Sequence, residues 1–271
     1  MRLHNQRAWF PAVAAVLALA FSAPATADTL QITVTNNQPA GGFAFAPVWF
    51  GLHDGSYQTF TAGGTASSTI QTTAELGTPS ALLAAFAGHG DQTVAGSAPI
   101  GPGSGATALL SVADPSMNRY LSFASMVVPS NDFFMGNADP KAFEIFDASG
   151  AFLGPKTIQV YGKNVWDAGT EVNNIAFGAA FIVGDNINDH VAQGGVIALV
   201  FGGPDQTDYL NSILGKATPY GYDISHIISP DDLLATFQIQ SVPEPSSLVL
   251  LGAGAGGLLI ASVRKASRRR A

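Results

Sequence analysis

The sequence contains no cysteine, which excludes disulfide bonds, thiolate zinc sites and cysteine nucleophiles. Charged residues are also scarce, at 11% of the chain against roughly 25% in an average soluble protein. Hydrophobic residues make up 47% of the 271 residues, enough to form the core of one domain of about 200 residues. The 30 glycines and 16 prolines favour many turns over long helices, so the composition predicts an all-β domain.

Basic residues are rare in the body of the chain. Between Asp28 and Ser241 there are five Lys and Arg residues and eighteen Asp and Glu residues, a formal charge of −13. So few cations cannot neutralise a run of phosphates, which argues against nucleic acid as a partner. An acidic body suits solubility outside a cell and the binding of oxygen-ligated cations.

The N-terminal segment has the three parts of a secretory signal peptide. Arg2 and Arg7 precede the apolar run Ala12–Ser22, and Ala25-Thr26-Ala27 follows as a small-x-small cleavage site. This pattern predicts a signal peptide over residues 1–27, with Asp28 as the mature N-terminus. The alternative is an N-terminal anchor helix, for which the apolar run is short.

The C-terminal segment, residues 242–271, is a sorting tail in appearance. It starts with Val242, Pro243, Glu244 and Pro245 and continues as an apolar run over 246–263. It ends in a basic cluster of Arg264, Lys265, Arg268, Arg269 and Arg270. The apolar run predicts a single transmembrane helix with its basic end in the cytoplasm.

This tripartite tail resembles the PEP-CTERM sorting signal of Gram-negative bacteria. The resemblance implies recognition by an exosortase, cleavage near the Val242–Pro245 motif, and export to the envelope or the extracellular matrix. Membrane contact would then be limited to the tail before processing. A plain tail anchor, which would keep the domain on the inner membrane, is the alternative.

Between the two ends, the hydrophobic pattern predicts about eight strands. Tyr120–Val128 is strongly apolar, and Leu233–Val242 alternates, with Leu233, Ala235 and Phe237 on one face. The predicted strands cover 29–36, 43–52, 120–128, 142–146, 152 onwards, 156–161, 196–201 and 233–242, with short helices over 78–87 and 205–214. Strands do not alternate with long helices and no repeat is present. A single antiparallel β-sandwich over residues 28–241 is therefore expected.

Two acidic loops carry the candidate chemistry. Asp132 follows the strand that ends at Val128, while Asp167 and Glu171 follow the strand that ends at Tyr161. If those strand ends are neighbours, three carboxylates meet at one rim of the sandwich. Crowded carboxylates repel unless they are protonated or bound to a cation, and Ca²⁺ takes about six to eight oxygen ligands. The alternative is that these residues are turn formers that bond to their own backbone.

Four motifs in order resemble the bacterial form of the spondin N-terminal domain family. In chain order, they are Ala74–Leu82, Ala98–Gly103, Met126–Gly136 and Trp166–Glu171. The resemblance implies a C2-like β-sandwich of eight strands that binds one Ca²⁺ at a loop-rich end. Carried over by motif, Asp132, Asp167 and Glu171 become the metal ligands. The chain departs from animal members in lacking cysteines, in having Asn131 where many members have Pro, and in ending the second motif with Glu171 rather than Asp.

The expected function is an exported cell-surface or matrix module for binding or adhesion, and not an enzyme. Animal members of the family are matrix and adhesion proteins, and such sorting tails resemble those of proteins exported alongside exopolysaccharide. The expected partner is thus an exopolysaccharide or another surface protein. Phe133, Phe134 and Trp166 are candidates for stacking on sugar rings, although Phe133 and Trp166 also suit packing behind the loops.

Two other functions stay open. A secreted hydrolase would use His53, His89, His190 or His226 as its base, but the sequence has neither a G-x-S-x-G nor an H-E-x-x-H motif. A Ca²⁺-dependent membrane-binding module of the C2 type is the other possibility. The charge of −13 in the body opposes binding to anionic lipid.

Overall fold

Two antiparallel sheets pack face to face in the computed structural model, which describes residues 28–242. The strands are β1 (Asp28–Asn36), β2 (Ala44–Phe45), β3 (Val48–His53), β4 (Gly90–Ala95), β5 (Gly105–Val112), β6 (Tyr120–Val128), β7 (Phe133–Gly136), β8 (Lys156–Tyr161), β9 (Val165–Asp167), β10 (Ala198–Leu199) and β11 (Leu233–Val242). The helices are α1 (Ser68–Leu76), α2 (Ser80–Phe86) and α3 (Thr207–Ile213), with a 3-10 turn over Gly162–Asn164.

The smaller sheet has the order β5-β1-β11-β8, and the larger has the order β10-β9-β7-β6-β3-β4, with β2 also pairing with β6. The last strand therefore lies inside the smaller sheet, between the first strand and β8. All of the pairings are antiparallel, as expected for a sandwich. The prediction of an all-β antiparallel sandwich with short helical insertions is confirmed.

Aromatic side chains from both sheets form the centre of the core. Phe237 of β11 contacts Phe50 of β3 and Phe123 of β6, at ring-centroid distances of 5.2 and 4.9 Å. Phe237 and Phe50 have no exposed surface. Burying one such side chain stabilises the fold by about 1.5–3 kcal/mol. These contacts link the two sheets and give the loop ends a rigid base.

Four predicted strands have the expected bounds or nearly so: 29–36, 120–128, 156–161 and 233–242. The predicted alternation of β11 is interrupted at its start. A register shift between Leu233 and Ala235 turns Leu234 into the core, and Leu234 and Ala235 are both fully buried. The strands predicted over 142–146 and from 152 onwards are reduced to isolated bridges, such as the one between Phe146 and Phe152.

The strand ends define two opposite ends of the sandwich. At one end Thr29 pairs with Val242, and at the other Asn36 pairs with Ala235. The Asn36 side chain donates to the carbonyl of Phe43, next to the point where Ala44 pairs with Val128. The loop after Val128 thus lies at the end opposite to the one where the chain leaves β11.

The predicted signal peptide (residues 1–27) and the tail from residue 243 onwards, with its transmembrane helix, lie outside the described residues. Val242, the first residue of the sorting motif, is the last residue of β11. Over residues 28–242, none of the helices is both long and apolar enough to cross a bilayer.

Candidate metal centre

Strands β7 and β9 bring the two acidic motifs together. Phe133 pairs with Asp167 across these strands, and the amide of Ala168 donates to the carbonyl of Asp132 at 3.1 Å. From the sequence, the two motifs were expected to meet because the ends of β6 and β8 would be neighbours. These two strands lie in different sheets. The 3-10 turn after Tyr161 carries the chain from β8 to β9 in the other sheet. The two aspartates therefore meet through a pair of short strands that the sequence analysis did not identify.

Asp132 is a buried carboxylate with only one of its oxygens hydrogen-bonded. Its Oδ2 accepts from the Thr170 amide at 2.8 Å, the Thr170 hydroxyl at 3.2 Å and the Glu171 amide at 3.1 Å. Its Oδ1 is buried and receives no hydrogen bond within residues 28–242. Burial, together with the nearby negative charge of Asp167, raises the pKa of Asp132 to about 7. A buried, bare carboxylate oxygen is costly, so this atom is a candidate cation ligand.

Asp167 forms the turn of the second motif. Its Oδ1 accepts from the Gly169 amide at 2.7 Å, and its Oδ2 accepts from the Asn173 side chain at 2.7 Å. Gly169 has a φ of +67°, a conformation that favours glycine. Burial raises the pKa of Asp167. The turn-forming alternative thus describes Asp167 well, although the Asn173 Oδ1 beside it is buried with no donor among the described residues.

Glu171 directs its carboxylate into a different group. Its Oε2 lies 3.9 Å from His190 Nδ1, and Glu75 Oε2 lies 3.4 Å from the same nitrogen. Ligand atoms of Glu75, Glu171 and His190 lie within 4.8 Å of one another. In the part of the chain that the structure describes, this is the one cluster of three side chains close enough to share a metal ion, and it does not include Asp132 or Asp167. Burial, with the charges of Glu75 and Asp185, raises the pKa of Glu171 to about 7.

The three predicted ligands are therefore divided between two neighbouring groups. Asp132 and Asp167 form one, and Glu171 joins Glu75 and His190 in the other. Glu75 is not among the ligands predicted from the sequence, although it lies within the motif at 74–82. His190 is predicted there only as a candidate catalytic base. Nothing in the local pattern connects these residues, because they are far apart in the chain and meet only in the folded structure.

Asn131 connects the two groups to the rest of the domain. It is fully buried, and its side-chain amide donates to Glu171 Oε1 at 3.2 Å. Its Oδ1 accepts from the Tyr209 hydroxyl at 2.8 Å. Burial raises the pKa of Tyr209 well above its usual value, so this hydroxyl stays protonated as a donor. Helix α3, which carries Tyr209, thereby holds the first acidic loop in place.

The aromatic residues proposed for sugar stacking are mostly in the core. Phe133 and Phe134 have no exposed surface. Trp166 is half-buried against Phe60, with ring centroids 5.2 Å apart, and its indole donates to the Gly136 carbonyl at 3.1 Å. Phe133 and Phe134 therefore stabilise the fold behind the loops and cannot stack on a ligand.

Comparison with known proteins agrees with this architecture. Residues 33–180 match the Spondin_N family model, which is more than half of the 271-residue chain. The chain belongs to the spondin N-terminal domain family. Both acidic motifs of this spondin-type chain, and Glu75, lie within the matched region. A search of curated proteins found no significant match.

Residues 241–270 match the PEP-CTERM protein-sorting motif, which confirms the predicted sorting tail. The spondin-type chain is therefore an exported surface protein that is sorted through the envelope and processed by an exosortase-type enzyme. The match begins at Ser241, so it overlaps the last two residues of β11.

Proposed function

We propose that this exported protein is a binding or adhesion module, not an enzyme, which presents its acidic loop end to an exopolysaccharide or another surface protein. A Ca²⁺ ion held at Asp132 and Asp167 would stabilise that end. The observation that carries the proposal is the bare, buried Oδ1 of Asp132, which sits beside a second carboxylate on an end formed by loops.

The donor set around Asp132 suits a hard cation. Asp132 Oδ1 and Asn173 Oδ1 are buried oxygens without donors in the described chain, and Asp167 adds a second carboxylate. Ca²⁺ prefers carboxylate, amide and carbonyl oxygens. A cation here would offset the repulsion between Asp132 and Asp167 and the cost of burying them. Glu171, the third predicted ligand, turns its side chain towards His190.

The position of the site also supports a role in binding. The chain leaves β11 at Val242, while the acidic loops lie at the opposite end of the sandwich. Strand β11 has ten residues, which corresponds to about 30 Å at about 3.3 Å per residue. A protein held at its C-terminal end would thus present the acidic loops away from the attachment point.

The hydrolase alternative has one superficially attractive pair, His53 and Ser122. His53 Nε2 lies 3.0 Å from the Ser122 hydroxyl oxygen, but both residues are fully buried. The Gly55 amide donates to His53 Nδ1 at 2.9 Å, so in the neutral ring Nε2 carries the proton and donates to Ser122. That direction is the reverse of what a general base needs. The pair is therefore better described as a structural hydrogen bond.

A rebinding assay would test the proposed function. Labelled full-length protein is added, with Ca²⁺ or with a chelator, to cells of its own bacterial strain in which the gene for this protein has been deleted. We expect saturable binding in Ca²⁺ that is lost in chelator and strongly reduced for Asp132→Asn, which keeps the shape of the side chain but removes its charge. Glu144→Gln, a change at a side chain that is 41% exposed, serves as the control. Binding that is insensitive to both the chelator and Asp132→Asn would contradict the proposal.

A further inference from the structure

Glu75, Glu171 and His190 form a second, separate arrangement beside the aspartate pair. Glu75 lies on α1, Glu171 ends the second acidic motif, and His190 lies in the irregular segment between Glu171 and β10. We propose that these three side chains bind a divalent transition metal ion of the zinc class, which fastens this irregular segment to α1. The inference rests on the geometry of this group and does not depend on the adhesive role.

The two carboxylates are oriented in the same way. Gln71 donates to Glu75 Oε1 at 3.0 Å, and Asn131 donates to Glu171 Oε1 at 3.2 Å. Within residues 28–242, no hydrogen bond reaches either Oε2 atom, and both of these oxygens face His190 Nδ1. Amides that hold one oxygen and leave the other free are the outer-shell arrangement typical of metal ligands.

The two carboxylates of the group are buried, so a cation between them would stabilise the fold. Glu75 and Glu171 are 8% and 1% exposed, and two buried carboxylates repel each other unless a positive charge lies between them. Asp185 adds a third charge near Glu171, and its Oδ2 is buried with no donor in the described chain. The His190 side chain is 36% exposed, which leaves a route from solvent to the group.

A glycine supplies the space that Glu171 occupies. A Cβ atom at Gly178 would lie 1.9 Å from Glu171 Oε1, so any larger residue would displace the carboxylate. The φ of Gly178 is +75°, which also favours glycine. The chain therefore keeps Glu171 in a defined position that is suited to sharing a ligand with Glu75.

The imidazole decides the class of metal. Ca²⁺ and Mg²⁺ take oxygen ligands, whereas zinc and its neighbours bind histidine nitrogen together with carboxylate oxygen. Three protein ligands leave room for a water molecule or for Asp185. A zinc-class ion is therefore expected here, in contrast to the Ca²⁺ proposed at Asp132.

The segment between Glu171 and β10 has little regular structure to hold it in place. Residues 172–197 contain no strand or helix, and their sheet-like contacts are isolated bridges at Ala180 and Ala192. The chain has no cysteine, so a disulfide cannot cross-link this segment. A metal bound by Glu75, Glu171 and His190 would close the loop instead, and its binding free energy would add to the stability of the folded state.

The test uses full-length protein in mild detergent, stripped of metal and titrated separately with Zn²⁺, Co²⁺, Ca²⁺ and Mg²⁺. We expect one Zn²⁺ equivalent to bind, the unfolding midpoint to rise, and Co²⁺ to give a visible absorption band. His190→Ala should abolish the band and weaken Zn²⁺ binding more than about 100-fold, and Gln71→Ala should weaken it by about 10–100-fold. Glu75→Gln provides a second ligand variant of unchanged shape.

His226→Ala is the matched control, because His226 also lies beside a carboxylate, at 3.1 Å from Asp232, and is 40% exposed. It should leave the zinc affinity and the cobalt band unchanged. The proposal is overturned if Zn²⁺ does not bind, if His190→Ala binds as the wild type does, or if Ca²⁺ competes equally for the site. Since cell binding is not measured, none of these outcomes depends on the adhesive role.

Discussion

Asp132 Oδ2 accepts the backbone amide of Glu171 at 3.1 Å, which joins the two acidic motifs across 39 positions of the chain. The same oxygen accepts two hydrogen bonds from Thr170. One side of this carboxylate therefore fixes the second loop, while the other side is left bare. The residue combines a structural role with the capacity to bind a cation, and these two roles can be separated by mutation.

Asp132→Ala and Asp132→Asn should affect stability differently. The alanine variant leaves three donors unsatisfied and should lower the free energy of unfolding by on the order of 3 kcal/mol. The asparagine variant keeps an acceptor and removes a buried charge, so without metal it should be at least as stable as the wild type. Urea unfolding with and without Ca²⁺ would measure both. An equal loss for the two variants would show that charge, not hydrogen bonding, dominates.

The pH dependence of stability should carry the signature of the buried acids. The pKa values of Asp132 and Glu171 are raised to about 7 in the folded protein, above about 4 in the unfolded chain. Between pH 4 and pH 7 the folded state then binds more protons than the unfolded state. The stabilisation that these two groups provide is therefore complete at low pH and is lost as pH rises towards 7.

The measurement for this prediction is the urea midpoint from pH 4 to pH 8 in chelator. Because other groups also titrate, the informative quantity is the wild type minus Asp132→Asn. We expect that the wild type loses stability relative to the variant as pH rises through this range. Ca²⁺ should reduce the difference by binding the ionised form. A flat difference curve would mean that Asp132 ionises normally.

His53 should titrate far from its usual range. Burial lowers the pKa of His53 to about 4, because the ring has no exposed surface and the charged form would lose its hydration. In ¹⁵N NMR the ring should stay neutral down to about pH 4, with the proton on Nε2. The pH dependence that His53 gives to stability is opposite to that of the buried acids. Its contribution is present above pH 6.5 and is lost as pH falls towards 4. An imidazole that titrates near pH 6.5 would contradict the assignment.

Gly178→Ala should damage the group around Glu171, and Gly184→Ala provides its control. Both glycines have positive φ, +75° and +86°, so both substitutions carry a backbone cost of about 1 kcal/mol. At Gly184 nothing lies within 4 Å of the new Cβ, whereas at Gly178 it meets Glu171 Oε1. We expect Gly178→Ala to lose clearly more unfolding free energy, and Zn²⁺ affinity as well. Equal losses would show that Glu171 moves away without cost.

The sandwich could be predicted from its strongest strands, and its remaining strands could not. The apolar run of β6 and the alternation in β11 are clear in the sequence. Strand β5 also alternates, but Leu109 on its outer face is 60% exposed, which obscures the pattern. Strands β7 and β9 have four and three residues. Such short strands are defined by their partners rather than by a period.

The candidate site was predictable only where a motif is local. Asp132 and Asp167 belong to short motifs, and the structure brings them together. Glu75 and His190 join Glu171 through tertiary contacts, so their association needs the packing of α1 and of the segment after Glu171. Local periodicity carries no information about such contacts. The division of the predicted ligands into two groups could therefore emerge only from the fold.

The position of β11 inside its sheet has a mechanical consequence. A pull applied at the C-terminal end of the domain enters at Val242 and runs along the whole strand. Because β1 and β8 flank β11 on both sides, the load is shared by two rows of hydrogen bonds that must shear together rather than open one after another. The domain is thus built to resist tension between its C-terminal end and whatever its opposite end holds.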